Sequence, residues 1–195
     1  MEPLTTEQKI IEAASKLFSR KGFAATKTRE IAEEAGINLA LLNYYFGSKE
    51  NLFKGVVKEK LRMLLEAMIP ILSDAKVPLD QKIATIARNY TKLLLENEEL
   101  PIFILNEWSV NKELFVDITR NARLFTMPVI QEQLKEKGIT TNTADFIVNI
   151  LGLVMFPFVA KPMITSSGLV KEEEFADFVK RREGNIVEWI NKINA

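Results

Sequence analysis

The stretch Thr28–Phe46, TREIAEEAGINLALLNYYF, constrains this chain more than any other. It holds two short helical patterns with a glycine between them. In Thr28–Ala35, Ile31 and Ala35 stand four apart, so both fall on one helical face. Gly36 follows at the point where a helix closing through a left-handed residue needs a side chain without Cβ. Asn38 is placed to cap the second helix. Counting from Thr28, apolar residues take the fourth, tenth, fifteenth and eighteenth positions, which are Ile31, Ile37, Leu42 and Tyr45. Small Ala32 is fifth, where two steeply crossing helices would otherwise collide, and Gly36 is ninth. This is the packing pattern of a helix-turn-helix. An ordinary αα-hairpin explains the glycine and the caps, but less easily the small residue together with the four apolar positions.

The second of the two helices is two-faced. Leu42, Tyr45 and Phe46, at i, i+3 and i+4, form the expected inward stripe. Leu39, Ala40, Asn43 and Tyr44 share another face, free to meet a major groove, with Asn38 at its leading end. Ala40 and Leu39 suit thymine methyl groups, Asn43 suits a bidentate pair with adenine, and the Tyr44 hydroxyl suits a phosphate. The plainer role for Leu39 and Leu41 is packing against neighbouring helices. Upstream, Thr26, Lys27, Thr28 and Arg29 open the first helix of the pair, and their hydroxyls and charges could clamp a DNA backbone. Thr26 can also act simply as a cap. Downstream, Ser48 is placed to cap a further helix whose first residues include Lys49. A helix N-terminus beside a lysine is well suited to a DNA phosphate.

Gly22–Phe23, Thr26, the run Arg29–Ala32, Ala35–Ile37 and Tyr45–Phe53 together resemble the DNA-binding domain of the tetracycline-repressor (TetR) family. The likeness covers roughly the first sixty residues. It implies a regulator of transcription that binds double-stranded DNA, with a variable helical effector domain behind the DNA-binding one. Two positions depart from the family pattern. Asn43 stands where the family usually has tyrosine, and Leu39 where it often has lysine, so phosphate contacts made by those side chains do not carry over.

The first helix of the chain begins near Thr5, where Thr5-x-x-Gln8 has the form of a capping box. Ile10, Ala13, Ala14, Leu17 and Phe18 give it one apolar stripe, and Gly22 ends it after Arg20 and Lys21. From Lys49 a helical pattern runs to about Ile69, ahead of Pro70, so the division between the two parts of the chain falls inside a helix. The expected fold is all-α. A three-helix DNA-binding domain over residues 1–50 is joined by a connecting helix, 49–69, to a helical bundle over 70–195 for effector binding and dimerisation.

In the second part, Leu79, Ile83, Ile86, Ala87, Tyr90, Leu93 and Leu94 make a long stripe opened by Pro78. Pro101–Val110 reads as a short helix, and Lys112–Lys137 as a longer one, interrupted or bent at Pro128 and closed by Gly138. Phe146–Met163 is the most apolar window, too short and too broken by Asn149, Pro157, Lys161 and Pro162 to span a bilayer. A helix apolar on every side is expected to be buried on every side, which in so small a domain suggests a partner subunit. The last helix, about Lys171 to Asn194, repeats Phe175, Phe178, Val179, Ile186, Trp189, Ile190 and Ile193 as a second sticky face. A two-fold homodimer through these last two helices is the expectation.

Composition excludes several chemistries. There is no cysteine and no histidine, so zinc fingers, disulfides, thiolate nucleophiles and imidazole bases are all ruled out. No glycine loop to cradle phosphate appears either, and no enzyme, cofactor or metal is expected. The 26 basic and 26 acidic residues leave no net charge, against a protein that coats nucleic acid by bulk attraction but not against a local site. The opening MEPLTTEQK has no apolar signal core, making a cytoplasmic location the expectation. The leading functional reading is a repressor released from an inverted-repeat operator by a small apolar effector. Trp108, Phe125 and Phe156 are the candidates to touch that effector, being large, apolar and within the segments the resemblance assigns to it. The alternative reading keeps the helix-turn-helix but gives the C-terminal domain a protein partner in place of a small molecule.

Overall fold

The computed structural model describes residues 3–110, 112, 113, 115, 116 and 126–193, and no β-strand occurs among them. The chain divides into two compact units between Met63 and Leu64. Helix α1 (Thr6–Ala25) opens with the capping box: the Thr5 N–H donates to Gln8 Oε1 at 2.9 Å, and Thr5 Oγ1 accepts from the Gln8 N–H at 3.2 Å. Its stripe Ile10, Ala13, Ala14, Leu17 and Phe18 is buried, and Gly22, at φ +78°, breaks the helix. Next come α2 (Thr28–Glu34), α3 (Leu39–Phe46) and α4 (Lys49–Glu66), the last containing the division between the units. The core of the first unit is Ile10, Ile31, Leu42, Leu52, Val56 and Val57, all fully buried. The rings of Phe18, Phe23 and Phe53 close its side, with centroids 4.9 to 5.6 Å apart.

The expected helix to Ile69 ends at Glu66, and a new one, α5 (Ile69–Ser73), begins after Met68 leaves the helical region. Pro70 lies in its first turn, where the missing N–H costs nothing. Helix α6 (Leu79–Glu96) is the centre of the second unit, burying Leu79, Ile83, Ile86, Ala87, Tyr90 and Leu94. It packs against α5, α8 (Pro128–Glu136), α9 (Thr143–Val159) and, most extensively, α11 (Phe175–Ile193). Helix α7 (Leu100–Val110) packs on α9, and α10 (Lys161–Ser166) follows α9 after a break at Ala160. A short 3₁₀ turn, Glu172–Glu174, leads into α11.

The pattern over Lys112–Lys137 is interrupted at Pro128 as expected: Met127 is extended and Pro128 starts α8 afresh. In the single chain α9 leaves Val148 57% and Phe156 60% exposed, on the helix for which a partner subunit is the expectation. A further expectation does change. The outward face of α11 is polar, carrying Asp177, Lys180, Arg181, Glu188 and Lys192. Half-buried Phe178 and Trp189 hold the Arg182 guanidinium between them, at 5.7 and 4.9 Å from their rings.

Candidate nucleic-acid interface

Backbone geometry sets the angle between α2 and α3. At the end of α2 the Ile37 N–H donates to Ala32 O at 2.9 Å and the Gly36 N–H to Glu33 O at 3.1 Å. That pair of bonds needs a left-handed residue at Gly36, whose φ is +68°. Two residues on, Asn38 Oδ1 accepts from the Leu41 N–H at 2.8 Å and starts α3. Helices α2 and α3 pack together, with Leu42 of α3 and Ile31 and Ala32 of α2 all buried. Lys16 pairs with Glu34, and Lys21 with Glu30 at 2.9 Å, tying α1 to both ends of α2. Exposed pairs of this kind fix direction more than they stabilise. The Lys21 hydrogen bond and the Lys27 N–H together hold the Glu30 carboxyl below the usual carboxylate range.

On the outer side of α3, Ala40 and Asn43 are exposed, Tyr44 is 83% exposed and Leu39 is half-buried. No residue of α3 carries a charge. The cations stand around it instead. Lys27 and Arg29 are exposed at the start of α2, with Thr28 half-buried between them. Beyond α3, Ser48 Oγ accepts from the Asn51 N–H at 3.1 Å and caps α4, where Lys49 lies in the first turn. The Lys49 Nζ sits 3.4 Å from Ala24 O and 4.4 Å from the centre of the Phe23 ring. An ammonium has three N–H donors, so two remain for a phosphate after the bond to Ala24. This aromatic seat is invisible in local sequence patterns because Phe23 and Lys49 are far apart along the chain. Asn38 spends its Oδ1 on the cap, which leaves its amide N–H groups facing outward from an exposed side chain.

Two side chains sit differently from the expectation. Thr26 is buried, and its hydroxyl donates to Gly22 O at 2.8 Å, so it ties the corner between α1 and α2 and does not reach a DNA backbone. Tyr45, expected inward beside Leu42, is 42% exposed and lies edge-on to Tyr44 at 5.6 Å. A tyrosine at the rim of a core keeps its hydroxyl in water.

Of the effector candidates, Trp108 is exposed and stacks on buried Phe115, with centroids 5.3 Å apart. Phe156 is 60% exposed on the outside of α9 in the single chain. Phe125 lies outside the described residues. An open cleft of about 520 Å³ occurs between α8 and the start of α9, lined by Gln131, Leu134, Lys135, Ile139 and Thr141 among others, and neither Trp108 nor Phe156 borders it. No described helix is long and apolar enough to cross a membrane.

Residues 10–56 match the profile of the bacterial regulatory proteins of the tetR family, a span running from the stripe of α1 into α4. The chain is similar along its length to the "Probable HTH-type transcriptional regulator YttP" of Bacillus subtilis, at 24% identity over 97% of this chain and 94% of that protein. It is 28% identical to the HTH-type transcriptional regulator BetI of Brucella canis over 64% of this chain and 62% of that one. Among solved structures, the fatty acid degradation regulator FadR of Bacillus halodurans has the same fold, with a TM-score of 0.69 at 16% identity, over 96% of this chain and 97% of that one. With the helix-turn-helix formed as described above, residues 10–56 are a DNA-binding domain of the tetR family, in a chain similar along its length to a transcriptional regulator and not to an enzyme.

Proposed function

We propose that the protein is a homodimeric repressor that grips an inverted-repeat operator and leaves it when a small apolar effector binds. The observation that carries this reading is the outer face of α3, uncharged and largely exposed, with exposed Lys27 and Arg29 before it in the chain and Lys49 after it. Such cations meet phosphates, which position the protein, while the uncharged face reads base edges. A two-fold dimer presents two such faces to successive major grooves, about 34–36 Å apart, so any effector that alters their spacing weakens binding.

Support for the dimer comes from α9 and α11. Val148, Gly152 and Phe156 follow one another by four residues on the outside of α9. Gly152 there and Gly184 on α11 lie inside helices, where glycine costs about 1 kcal/mol relative to alanine. A Cβ at either would meet nothing within 4 Å in the chain, and a closely approaching second copy gives both glycines a use. For the effector, the segment Leu79–Val159 is the proposed seat, and the Trp108–Phe115 stack is its best-placed aromatic surface.

The test is to incubate the full-length chain with fragments of the genome that encodes it and sequence what is retained. An inverted repeat shared by the retained fragments is the expected result, and retention no greater than for shuffled DNA would sink the reading. Screening apolar compounds for thermal stabilisation, and then for release of the retained DNA, tests the effector. Unchanged release after Trp108→Ala would count against the place given to it.

A further inference from the structure

We infer that this protein recognises its operator through the C5-methyl groups of thymines, so that the base pairs under α3 are A·T and a methyl-free pyrimidine weakens binding. The inference rests on the proposed DNA-binding function and names the chemistry of the sequence being read.

The argument is one of what α3 offers. Its outward residues are Leu39, Ala40, Asn43 and Tyr44, and the helix holds neither lysine nor arginine. A guanine edge in the major groove shows two acceptors, O6 and N7, and is matched by the paired donors of arginine or lysine. Nothing on α3 supplies that fork. A thymine shows a methyl group, which leucine and alanine side chains match by apolar contact. An adenine shows an acceptor and a donor side by side, which the Asn43 amide matches. The cations that do exist, Lys27 and Arg29, open α2, the helix that crosses the backbone when such a pair docks, and Lys49 starts α4 with its ammonium seated on Phe23. Charge therefore attracts the duplex and sets register, while discrimination falls to apolar contact and one amide.

The same contact has a second consequence. 5-Methylcytosine carries its methyl at the position thymine does, so part of the recognition should transfer to it.

The experiment uses the full-length chain and DNA synthesised with altered pyrimidines. Duplexes retained from a random pool are first sequenced, giving a preferred half-site. Each thymine in it is then replaced singly by uracil, which keeps the base pair and removes only the methyl. At one or two symmetry-related thymines per half-site, binding should weaken about fourfold per methyl, the worth of one buried methyl group. At those positions cytosine should bind more weakly than 5-methylcytosine. Leu39→Ala, which keeps helix propensity at a half-buried site, should bring the thymine-to-uracil ratio towards one at one of them. A preferred half-site that binds equally well with uracil at every thymine overturns the inference and leaves the DNA-binding function standing. A half-site with G·C pairs at its invariant centre does the same. No preferred sequence at all overturns both.

Discussion

The Tyr90 hydroxyl donates to Leu64 O at 2.8 Å deep in the second unit. Leu64 is in the last turn of α4, where carbonyls have no helical partner, so a side chain of α6 satisfies a group that helix geometry leaves open. Burial pushes the phenol well above its usual range, which keeps the proton in place. A pKa raised on folding gives stability that is complete below the unfolded value, about pH 10, and is lost as pH rises through it towards the folded one. Tyr90→Phe should cost about 1–3 kcal/mol at neutral pH, because the carbonyl is left without a donor. Urea unfolding at neutral and alkaline pH should also show the variant losing less stability than the parent above pH 10 or so. Parallel losses would show that the buried phenol does not govern the alkaline limb. On the DNA side, two residues separate two kinds of contact. Lys49→Ala should weaken operator and random duplex alike and lower the salt slope by about one per subunit. Asn43→Ala should cost about 1–3 kcal/mol per half-site on the operator and little on random DNA. Equal weakening on both would move Asn43 from a base edge to a phosphate.

At the scale of elements, prolines open helices here more than they bend them. Pro70, Pro128 and Pro162 each lie in the first turn of a helix, and the break falls just before each one. Pro157, inside α9, is the contrasting case. The turn between α2 and α3 depends on Gly36 for a conformational reason alone, since a Cβ there would meet nothing within 4 Å. Gly36→Ala should therefore destabilise the first unit by about 1–2 kcal/mol, the cost of a left-handed L-residue. Gly36→Asn should cost less, because asparagine tolerates that region better. Thermal unfolding followed alongside operator binding checks both, and an asparagine variant as impaired as the alanine one would show that something other than backbone conformation holds the turn.

For the whole molecule, the question is what covers the outside of α9. Val148→Asp together with Phe156→Asp should give a monomer, or protein that precipitates, because a charge in an apolar contact goes unpaired. Gly152→Leu separates shape from hydrophobicity. It adds apolar surface and helix propensity to an open position, yet it should prevent two α9 helices from approaching and lower the dimer fraction. Light scattering across micromolar concentrations reads both outcomes. A monomeric parent chain would remove the dimer altogether, and a Gly152→Leu dimer as tight as the parent's would place the contact elsewhere.

The two short helices and their turn were legible in the residues because everything that makes them is local. The spacing of Ile31, Ala32 and Leu42 gives the buried face, Gly36 alone tolerates the required φ, and Asn38 caps the helix beginning one residue later. The capping box at Thr5 and Gln8 and the closure of α8 at Gly138 were readable for the same reason. What tertiary structure alone decided lies at the edges of those patterns. Periodicity says which residues share a face but not where the core stops, so Tyr45 fits the stripe and still meets water. Nor does it say which of two polar uses a side chain takes, and Thr26 turned inward to the carbonyl of Gly22. Lys49 on Phe23, like Tyr90 on Leu64, joins residues more than twenty apart, and no local rule encodes a pairing that exists only once the helices have packed.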